Sequence, residues 1–447
     1  MACVINETPC LHNIPNGQHG PDNKIITTHT TKFVTWRLHV DLETMSCLKT
    51  VTGLLRFTAK RSYSSDAKAE VTALYDFHLE NGGKIVNFGG FLLPVQYNDL
   101  SIVNSHLFTR KSASLFDVSH MLQTEIRGEG CIPYFESLCT ADVGGLKDNA
   151  ASLTVFTNES GGILDDLIVT KVSEDHLYVV SNAARKEHDK NHLLQALEEL
   201  KKANPSTDVK IRFYEPLERG LLALQGPKAA EILGNVTDVD LSRLYFMNST
   251  VGNVANIKDC RITRCGYTGE DGFEISVLAS EAVTLARELL SNEKVKLAGL
   301  GARDSLRLEA GLCLYGNDIT IETTPVDAAL TWLVSKKRRE QRNFPGAEAI
   351  LKQIGEGSSV KRIGLVSESG PPARQGAAIL SEDGRELGKV TSGCPSPTLG
   401  YNVAMGYVPT SHSKTGTKVS LKIRDKLYDA VVAKMPFVKS NYYTKPK

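Results

Sequence analysis

The sequence predicts an α+β fold that ends in a smaller all-β domain. In the first two-thirds of the chain, segments with the two-residue period of strands alternate with segments that have the 3.6-residue period of helices. After a polar stretch at 336–358, short apolar segments follow one another between Gly, Pro, Ser and Asp residues. A length of 447 residues allows two to four folding units. We therefore expect an α+β region at 70–335, a connector at 336–358 and a small β-barrel or sandwich at 359–443.

The individual elements follow from these periods. Residues 167–172 and 176–181 predict a hairpin around a polar turn. Four leucines on one stripe predict a helix over about 189–202. The remaining predicted elements are strands at 220–225 and 272–278, helices at about 281–290 and 300–310, and terminal strands near 361–367, 386–391, 402–408, 418–424 and 427–434.

The first 68 residues differ in composition from the rest. Residues 1–44 are polar and aperiodic, which predicts a disordered extension. Residues 45–65 carry four basic side chains and many hydroxyls but no acid, and the first acid after them is Asp66. This composition is typical of a mitochondrial transit peptide, with a disordered basic tail as the alternative. We expect the transit peptide to span 45–68, with Met45 as the working start and cleavage near 61–65.

Composition and motifs exclude several classes of protein. The 52 basic and 51 acidic side chains give a net charge of +1, which argues against a broad nucleic-acid-binding surface. No apolar run approaches the roughly 18 residues that a membrane span needs. The nine cysteines include no C-x-x-C pair, so neither a zinc site nor a disulfide framework is expected. The motifs of P-loops, dinucleotide-binding folds, zinc hydrolases and serine hydrolases are also missing.

One histidine pair has the spacing of metal ligands on a helix. His188 and His192 stand four residues apart on or beside the predicted helix. Two histidines at this spacing are too few ligands to indicate a metal site. We therefore expect both rings on a solvated helix face.

Three segments place polar groups where chemistry is plausible. Asp117 lies in an apolar context, where partial desolvation would raise its proton affinity and suit it as a base or a strong acceptor. Glu274 follows a glycine-rich turn, and the strand alternation points it away from the core face of its strand. Arg303 and Arg307 lie one turn apart on a predicted helix. The structural alternatives are an acid that caps a turn, a surface glutamate and a ladder of helix salt bridges.

These segments resemble the T-protein family of the glycine cleavage system. The resemblance runs from about residue 74 to the C-terminus, and its motifs occur in the expected order. One departure is FGGF at 88–91, where the family usually has Ala and Trp at the second and fourth positions. The motifs are YDFH at 75–78, PVQY at 94–97, SLFDVSHM at 114–121, NESGGILDD at 158–166, LQGP at 224–227, RCGYTGEDG at 264–272, ARDSLRLEAG at 302–311 and KMPF at 434–437.

The resemblance implies a fold and a set of site residues. The fold would be a three-part cloverleaf, with two intertwined α+β subdomains and a C-terminal β-barrel around a central folate site. Asp117 matches the acid beside the reacting nitrogens of the folate. Glu274 matches the acid that anchors the pterin ring, with Tyr267 nearby. Arg303 and Tyr442 match residues that contact the ligand.

The resemblance also implies a reaction and its partners. The enzyme would be a tetrahydrofolate-dependent aminomethyltransferase of the animal mitochondrial type, acting in the matrix without a metal. It would take the methylene carbon from the aminomethyl-lipoyl arm of the H protein, with the P and L proteins as functional partners. Tetrahydrofolate would receive the carbon, ammonia would leave, and Asp117 would act as a base or as an electrostatic stabiliser. No nucleic acid or membrane partner is expected.

The wider folate-binding superfamily offers two alternatives to this enzyme. Folate domains fused to sarcosine or dimethylglycine dehydrogenases need a dinucleotide-binding half, which this chain lacks. A non-enzymatic iron–sulfur assembly factor carries a cysteine in a related motif, but here Cys265 sits one position away from it. The basic run Lys336–Arg339 is a candidate surface for an acidic carrier protein, with an ordinary solvated segment as the alternative.

Overall fold

The chain is described by a computed structural model that covers residues 69–446. The predicted extension at 1–44 and the predicted transit peptide at 45–68 lie outside the described residues. The strands of the described part are β1 Gly83–Phe88, β2 Phe91–Tyr97, β3 Ala113–Asp117, β4 Leu122–Arg127, β5 Ala150–Thr157, β6 Ile163–Ser173, β7 His176–Ser181, β8 Lys210–Tyr214, β9 Arg219–Gln225, β10 Ser249–Val254, β11 Ile257–Thr263, β12 Gly272–Leu278, β13 Val295–Leu297, β14 Val360–Ser367, β15 Ala378–Leu380, β16 Glu386–Pro395, β17 Asn402–Pro409, β18 Lys418–Ile423 and β19 Lys426–Ala433.

Helices connect and cover these strands. They are α1 Tyr75–Glu80, α2 Ile102–Lys111, α3 Cys131–Glu136, α4 Lys186–Ala203, α5 Ala229–Gly234, α6 Ala282–Leu290, α7 Leu300–Glu309, α8 Lys336–Gln341 and α9 Ala347–Glu356. The helices predicted at 189–202, 281–290 and 300–310 are confirmed as α4, α6 and α7, with ends that differ by a few residues. None of the helices in residues 69–446 combines the length and the apolarity that a membrane crossing requires.

Two large sheets and a two-stranded sheet of β1 and β2 form the α+β region, and the chain passes between the two large sheets twice. The first sheet has the order β10-β11-β12-β9-β3-β13, and the second has the order β5-β6-β7-β4-β8. The chain contributes β3 to the first sheet, builds the whole second sheet, and then returns to complete the first. Neighbouring strands are antiparallel except β13 and β3, which are parallel. The intertwined arrangement implied by the family resemblance is therefore present.

The pattern of β12 explains how the first sheet separates its core from its polar face. Phe273, Ile275 and Val277 are buried in one apolar cluster with residues of α5 and α6. Glu274 alternates with them and stands opposite Thr263 on β11 and Ala223 on β9. The predicted alternation is confirmed, and Glu274 faces away from this core.

The two sheets meet through a separate apolar cluster. Phe116 and Val118 on one side and Tyr178 and Val180 on the other are buried together, with Leu221 between them. A cleft at this junction is lined by residues of both sheets, among them Glu274. The face of β12 that carries Glu274 therefore points toward the junction. The sheet junction therefore positions the polar side chains described below.

The C-terminal strands close into a barrel in the order β14-β17-β16-β15-β18-β19. The five strands predicted there are confirmed, and β15 is an additional short strand. Alternating apolar residues such as Ile363 and Leu365 on β14 fill its interior. The barrel packs against α7, where the buried Arg307 donates to Asp318 at 2.6 Å and to Ser392 at 2.9 Å. Arg307 therefore has a structural role between α7 and the barrel.

The connector contains two helices, and they change the interpretation of its basic run. Arg338 on α8 is 0 % exposed and donates to the side chain of Gln341 at 2.8 Å. Arg339 donates to the backbone oxygens of Val334 and Thr331, both at 2.8 Å. The hypothesis that Lys336–Arg339 present one docking surface is wrong for Arg338. The guanidinium of Arg338 is buried and bonds within the connector, so it is not available to a partner. Lys336 and Lys337 are exposed.

The histidine pair on α4 was expected to lie on a solvated face, and this is wrong for one of the two rings. The rings of His188 and His192 are stacked with 6.1 Å between centroids. His192 packs on Phe156 with 5.2 Å between centroids, and its Nε2 is buried without a hydrogen-bond partner in the described part of the chain. Burial and the charge of His188 lower the pKa of His192. The prediction of a solvated face is wrong for His192, because α4 turns this ring toward the core of the second sheet.

Candidate active site

Asp117 ends β3 and its carboxylate is enclosed by hydrogen-bond donors. Oδ2 accepts from the hydroxyl of Thr72 at 2.6 Å and lies 2.9 Å from Nε2 of His78. Oδ1 accepts from the backbone N–H of Ser119 at 2.9 Å. His78 in turn lies 2.9 Å from the hydroxyl of Tyr97 through Nδ1. The side chain of Asp117 is 2 % exposed, so these contacts replace water around the carboxylate.

This environment reverses the pKa shift expected from the sequence. Burial raises the pKa of Asp117, but the hydrogen bond and the charge of His78 and the hydrogen bonds of Ser119 and Thr72 together outweigh it, and the pKa falls to about 2. The expectation that desolvation would raise the proton affinity of Asp117 is wrong. The carboxylate is held ionised at neutral pH, which makes it a strong acceptor and a poor base.

Asp117 and Arg303 line the same small cleft, which we call the Asp117 cleft. It lies beside β2, β3 and the start of α7, and its lining residues are Leu93, Pro94, Phe116, Asp117, Ala298, Gly299, Leu300 and Arg303. The guanidinium of Arg303 lies over the ring of Tyr267, 4.6 Å from its centroid. Burial and the charge of Arg303 lower the pKa of the neighbouring His120 to about 4, and the charge of Asp117 opposes them. The cleft therefore combines a fixed anion with a fixed cation.

Glu274 lines a second small cleft at the sheet junction, which we call the Glu274 cleft. Its lining residues are Ile168, Thr170, Tyr178, Val180, Leu221, Arg261, Thr263, Cys265, Glu274 and Ser276. Burial raises the pKa of Glu274, and the charge of Arg303 and a hydrogen bond from the Cys265 thiol oppose this. Burial and Glu274 also keep the Cys265 thiol protonated, since its pKa is raised well above the usual value. Arg303 thus acts electrostatically on both clefts.

The two predicted tyrosines lie on the glycine-rich turn and on the C-terminal segment that crosses it. Tyr267 donates its hydroxyl proton to the backbone oxygen of Cys313. Tyr442 stacks on Phe246, with 4.1 Å between centroids and 14° between planes. The backbone N–H of Asn441 donates to the oxygen of Gly269 at 2.8 Å, which holds this segment against the turn. The segment after the barrel therefore returns to the α+β region beside Cys265.

The structure brings most of the predicted residues together. Asp117 and Arg303 share a cleft, Tyr267 contacts Arg303, and Glu274 interacts with the charge of Arg303. Tyr442 has Arg110, Glu270 and the neutral thiol of Cys265 as its ionisable neighbours.

Sequence reasoning gave no role to His78 and Tyr97, although both end motifs that carry the family resemblance. The signal that could have indicated a role was their position at the ends of two short motifs of the family resemblance. Their partnership with Asp117 depends on α1 and β2 meeting the end of β3, which periodicity does not reveal.

Two acids on β6 were also missed. The side-chain amide of Asn182 donates to Asp165 at 3.0 Å and to Asp166 at 2.9 Å. Asp166 keeps a partly exposed edge, yet burial and the charges of Asp189 and Asp318 outweigh the amide and raise its pKa to about 6. The charge of Asp166 acts on Tyr267. Two consecutive acids inside an apolar strand were the signal in the sequence.

Comparison with known proteins agrees with this architecture. Residues 74–338 match the GCVT N-terminal domain, and residues 361–439 match the glycine cleavage T-protein C-terminal barrel domain. The chain is 54% identical over 373 residues to the mitochondrial aminomethyltransferase of Homo sapiens, covering 83% of this chain and 91% of that protein. It is 51% identical over 386 residues to that of Solanum tuberosum, covering 86% and 93%. The crystal structure of glycine cleavage system aminomethyltransferase T from Bartonella henselae superposes with a TM-score of 0.78 at 39% identity, covering 84% of this chain and 100% of that one.

The fold and these matches define the class as aminomethyltransferases. The chain belongs to the glycine cleavage T-protein family. The predicted enzyme class and the mitochondrial localisation are confirmed by the same relatives.

Proposed function

We propose that the chain transfers the methylene carbon of an aminomethyl group, carried on the lipoyl arm of the H protein, to tetrahydrofolate. The carbon–sulfur and carbon–nitrogen bonds of the S–CH2–NH3+ group break. The products are 5,10-methylenetetrahydrofolate, ammonia and the dihydrolipoyl H protein. The P and L proteins would supply the preceding and following steps on the same carrier.

Tetrahydrofolate supplies the two nitrogen nucleophiles, and the residues of the Glu274 cleft fit its ring. A pterin ring presents adjacent ring and amino N–H donors, which a carboxylate accepts as a charge-assisted pair. Glu274 offers such a carboxylate on a cleft that also has apolar walls and hydroxyl groups. This placement of Glu274 is the observation that carries the proposal.

Arg303 and Tyr267 would hold the reacting end of the ligand. Arg303 lies on the Asp117 cleft and acts on Glu274 through its charge, so a folate held by Glu274 would extend past the guanidinium toward Asp117. The ring of Tyr267 fixes the guanidinium plane from one side. Tyr442 would complete the site from the C-terminal segment. Such positioning of two reactants is itself a large part of catalysis.

Asp117 and Asp166 would divide the electrostatic and proton-transfer work. Asp117 stays ionised and cannot readily accept a proton, so its role would be to stabilise positive charge on the migrating carbon. Asp166 has a pKa of about 6 and lies near Tyr267, which suits a group that takes up a proton at neutral pH. This assignment leaves Asp117 in the catalytic set and adds Asp166 to it.

The test is a reconstituted assay of the full reaction. The purified chain, aminomethylated H protein and tetrahydrofolate should yield ammonia and 5,10-methylenetetrahydrofolate in equal amounts. Omitting tetrahydrofolate should slow ammonia release strongly. Release at the same rate without tetrahydrofolate, or without the chain, would overturn the proposal.

A further inference from the structure

Arg261 is a buried cation in the Glu274 cleft whose hydrogen-bonding capacity is not used. It lies on β11 and is 8 % exposed. Its Nη1 is buried, and no group within residues 69–446 accepts a hydrogen bond from it. Buried polar groups in folded proteins nearly always have a partner, so an unpaired guanidinium donor facing a cleft requires an explanation.

The strand register places Arg261 beside Glu274. Arg261 pairs with Ser276 and Thr263 pairs with Glu274 across β11 and β12, and Arg261 and Thr263 point to the same face because they are two residues apart. Arg261 and Glu274 are therefore diagonal neighbours, with Cα atoms roughly 7–8 Å apart, within reach of long side chains. All four residues line the cleft.

The surroundings hold the guanidinium in place without satisfying it. Its central carbon lies 4.9 Å from the ring centroid of Tyr178, which supports it from the second sheet. Burial and the charge of Arg219 lower the pKa of Arg261, and the charge of Glu125 opposes them. The guanidinium of Arg219 donates to Ser276, at 2.9 Å to the hydroxyl and 3.0 Å to the backbone oxygen. Arg261 is thus the charged donor of the cleft that remains open to a ligand.

We propose that Arg261 is a specificity-determining residue that donates to the ring carbonyl of the pterin, next to the two N–H groups bound by Glu274. This inference rests on the proposed function. The oxo form of a pterin presents its amino group, ring N–H and carbonyl oxygen in sequence along one edge. A carboxylate beside a guanidinium is complementary to that edge, since it offers two acceptors followed by a donor. A ligand carboxylate would fit poorly there, because Glu274 would repel it.

The proposal is tested by measuring the binding affinity of the purified chain for two ligands. Tetrahydrofolate carries the ring carbonyl, and its 4-thioxo analogue carries a thiocarbonyl in its place while keeping the amino group and the ring N–H that Glu274 would bind. The substitution Arg261→Met should weaken tetrahydrofolate binding by about 10-fold or more, as expected for a lost charge-assisted hydrogen bond. The same substitution should weaken binding of the thioxo analogue by no more than about 2-fold, because sulfur accepts a hydrogen bond from the guanidinium much less strongly than oxygen does. Arg261→Lys keeps the charge and should retain part of the preference for tetrahydrofolate.

Arg219→Met is the matched control, because it removes a neighbouring charge that does not line the cleft. It should change the binding of both ligands by one common factor. Thermal unfolding verifies that each variant folds, and if Arg261→Met does not fold, the ratio measured on Arg261→Lys decides. An equal loss for both ligands in the Arg261 variants would overturn the inference and leave the proposed function standing. Failure of the unsubstituted chain to bind tetrahydrofolate would overturn both.

Discussion

The carboxylate of Asp117 and the imidazole of His78 lie 2.9 Å apart, and their side chains are 2 % and 1 % exposed. The two residues come from the end of β3 and from α1, and the hydroxyl of Tyr97 lies at the other ring nitrogen of His78. The contact with His78, together with those of Ser119 and Thr72, keeps Asp117 ionised although its side chain is buried. A fixed anion in a buried position acts more strongly on a developing positive charge than it would in water.

Asp117→Asn should lower turnover by about 100-fold while tetrahydrofolate binding changes little. The amide keeps the size of the side chain but loses the negative charge that is proposed to stabilise the transition state. The measurement is kcat and the dissociation constant of tetrahydrofolate, together with thermal stability. Asp425→Asn is the control, because it makes the same change at a side chain that is 93% exposed. Near-normal turnover in a folded Asp117→Asn variant would remove Asp117 from the catalytic set.

The pH dependence of stability should also depend on Asp117. Its pKa of about 2 lies below the ~3.9 of an unfolded aspartate, so the ionised form stabilises the fold above pH ~4, and this stability is lost as the pH falls toward 2. The contribution is on the order of 2 kcal/mol. Urea unfolding between pH 5 and pH 2.5 should show a steeper loss for the unsubstituted chain than for Asp117→Asn. Parallel curves would mean that the His78 contact does not hold the carboxylate in its ionised form.

Asp166→Asn should lower turnover and also change the pH profile. A base works in its ionised form, so a pKa of about 6 predicts that activity falls below pH ~6. In the variant this acidic limb should disappear and the remaining activity should be low. The experiment measures kcat/KM from pH 5 to pH 8.5 on both proteins. Survival of the limb in Asp166→Asn would assign it to another group.

Glu274→Gln should weaken tetrahydrofolate binding by roughly 1.5–3 kcal/mol, the usual value of a hydrogen bond to a charged group. The contact is proposed to lie away from the bond that forms, so it holds ground state and transition state alike. Saturating tetrahydrofolate should therefore restore most of the turnover. Glu288→Gln, at an exposed position on α6, is the control. A fall in kcat that saturation does not repair would contradict the anchoring role.

Local patterns in the sequence were enough for part of the fold. The hairpin of β6 and β7, the helices α4, α6 and α7, and the strand β12 follow from residue periodicity, because each buries one face against a neighbour. The closed barrel follows from regularly spaced short strands. The connector helix α8 was not predicted, since it is short and polar. The connector helix α9 was not predicted either, although its apolar residues Ala347, Ile350, Leu351 and Ile354 recur with the period of a helix.

The sequence by itself determined which face of β12 carries Glu274, and that Arg303 follows on a helix, because alternation and helical period are local properties of the chain. Only the tertiary structure decided the charge states. The pKa of Asp117 is low because His78, Ser119 and Thr72 surround it, while the pKa of Asp166 is raised by burial and by the charges of Asp189 and Asp318. Arg338 was expected at the surface and is buried, and Arg261 gave no signal in the sequence yet lies unpaired beside Glu274. The physical reason is that a pKa and a hydrogen-bonding deficit depend on neighbours distant in the chain, and these neighbours exist only once the strands and helices have packed.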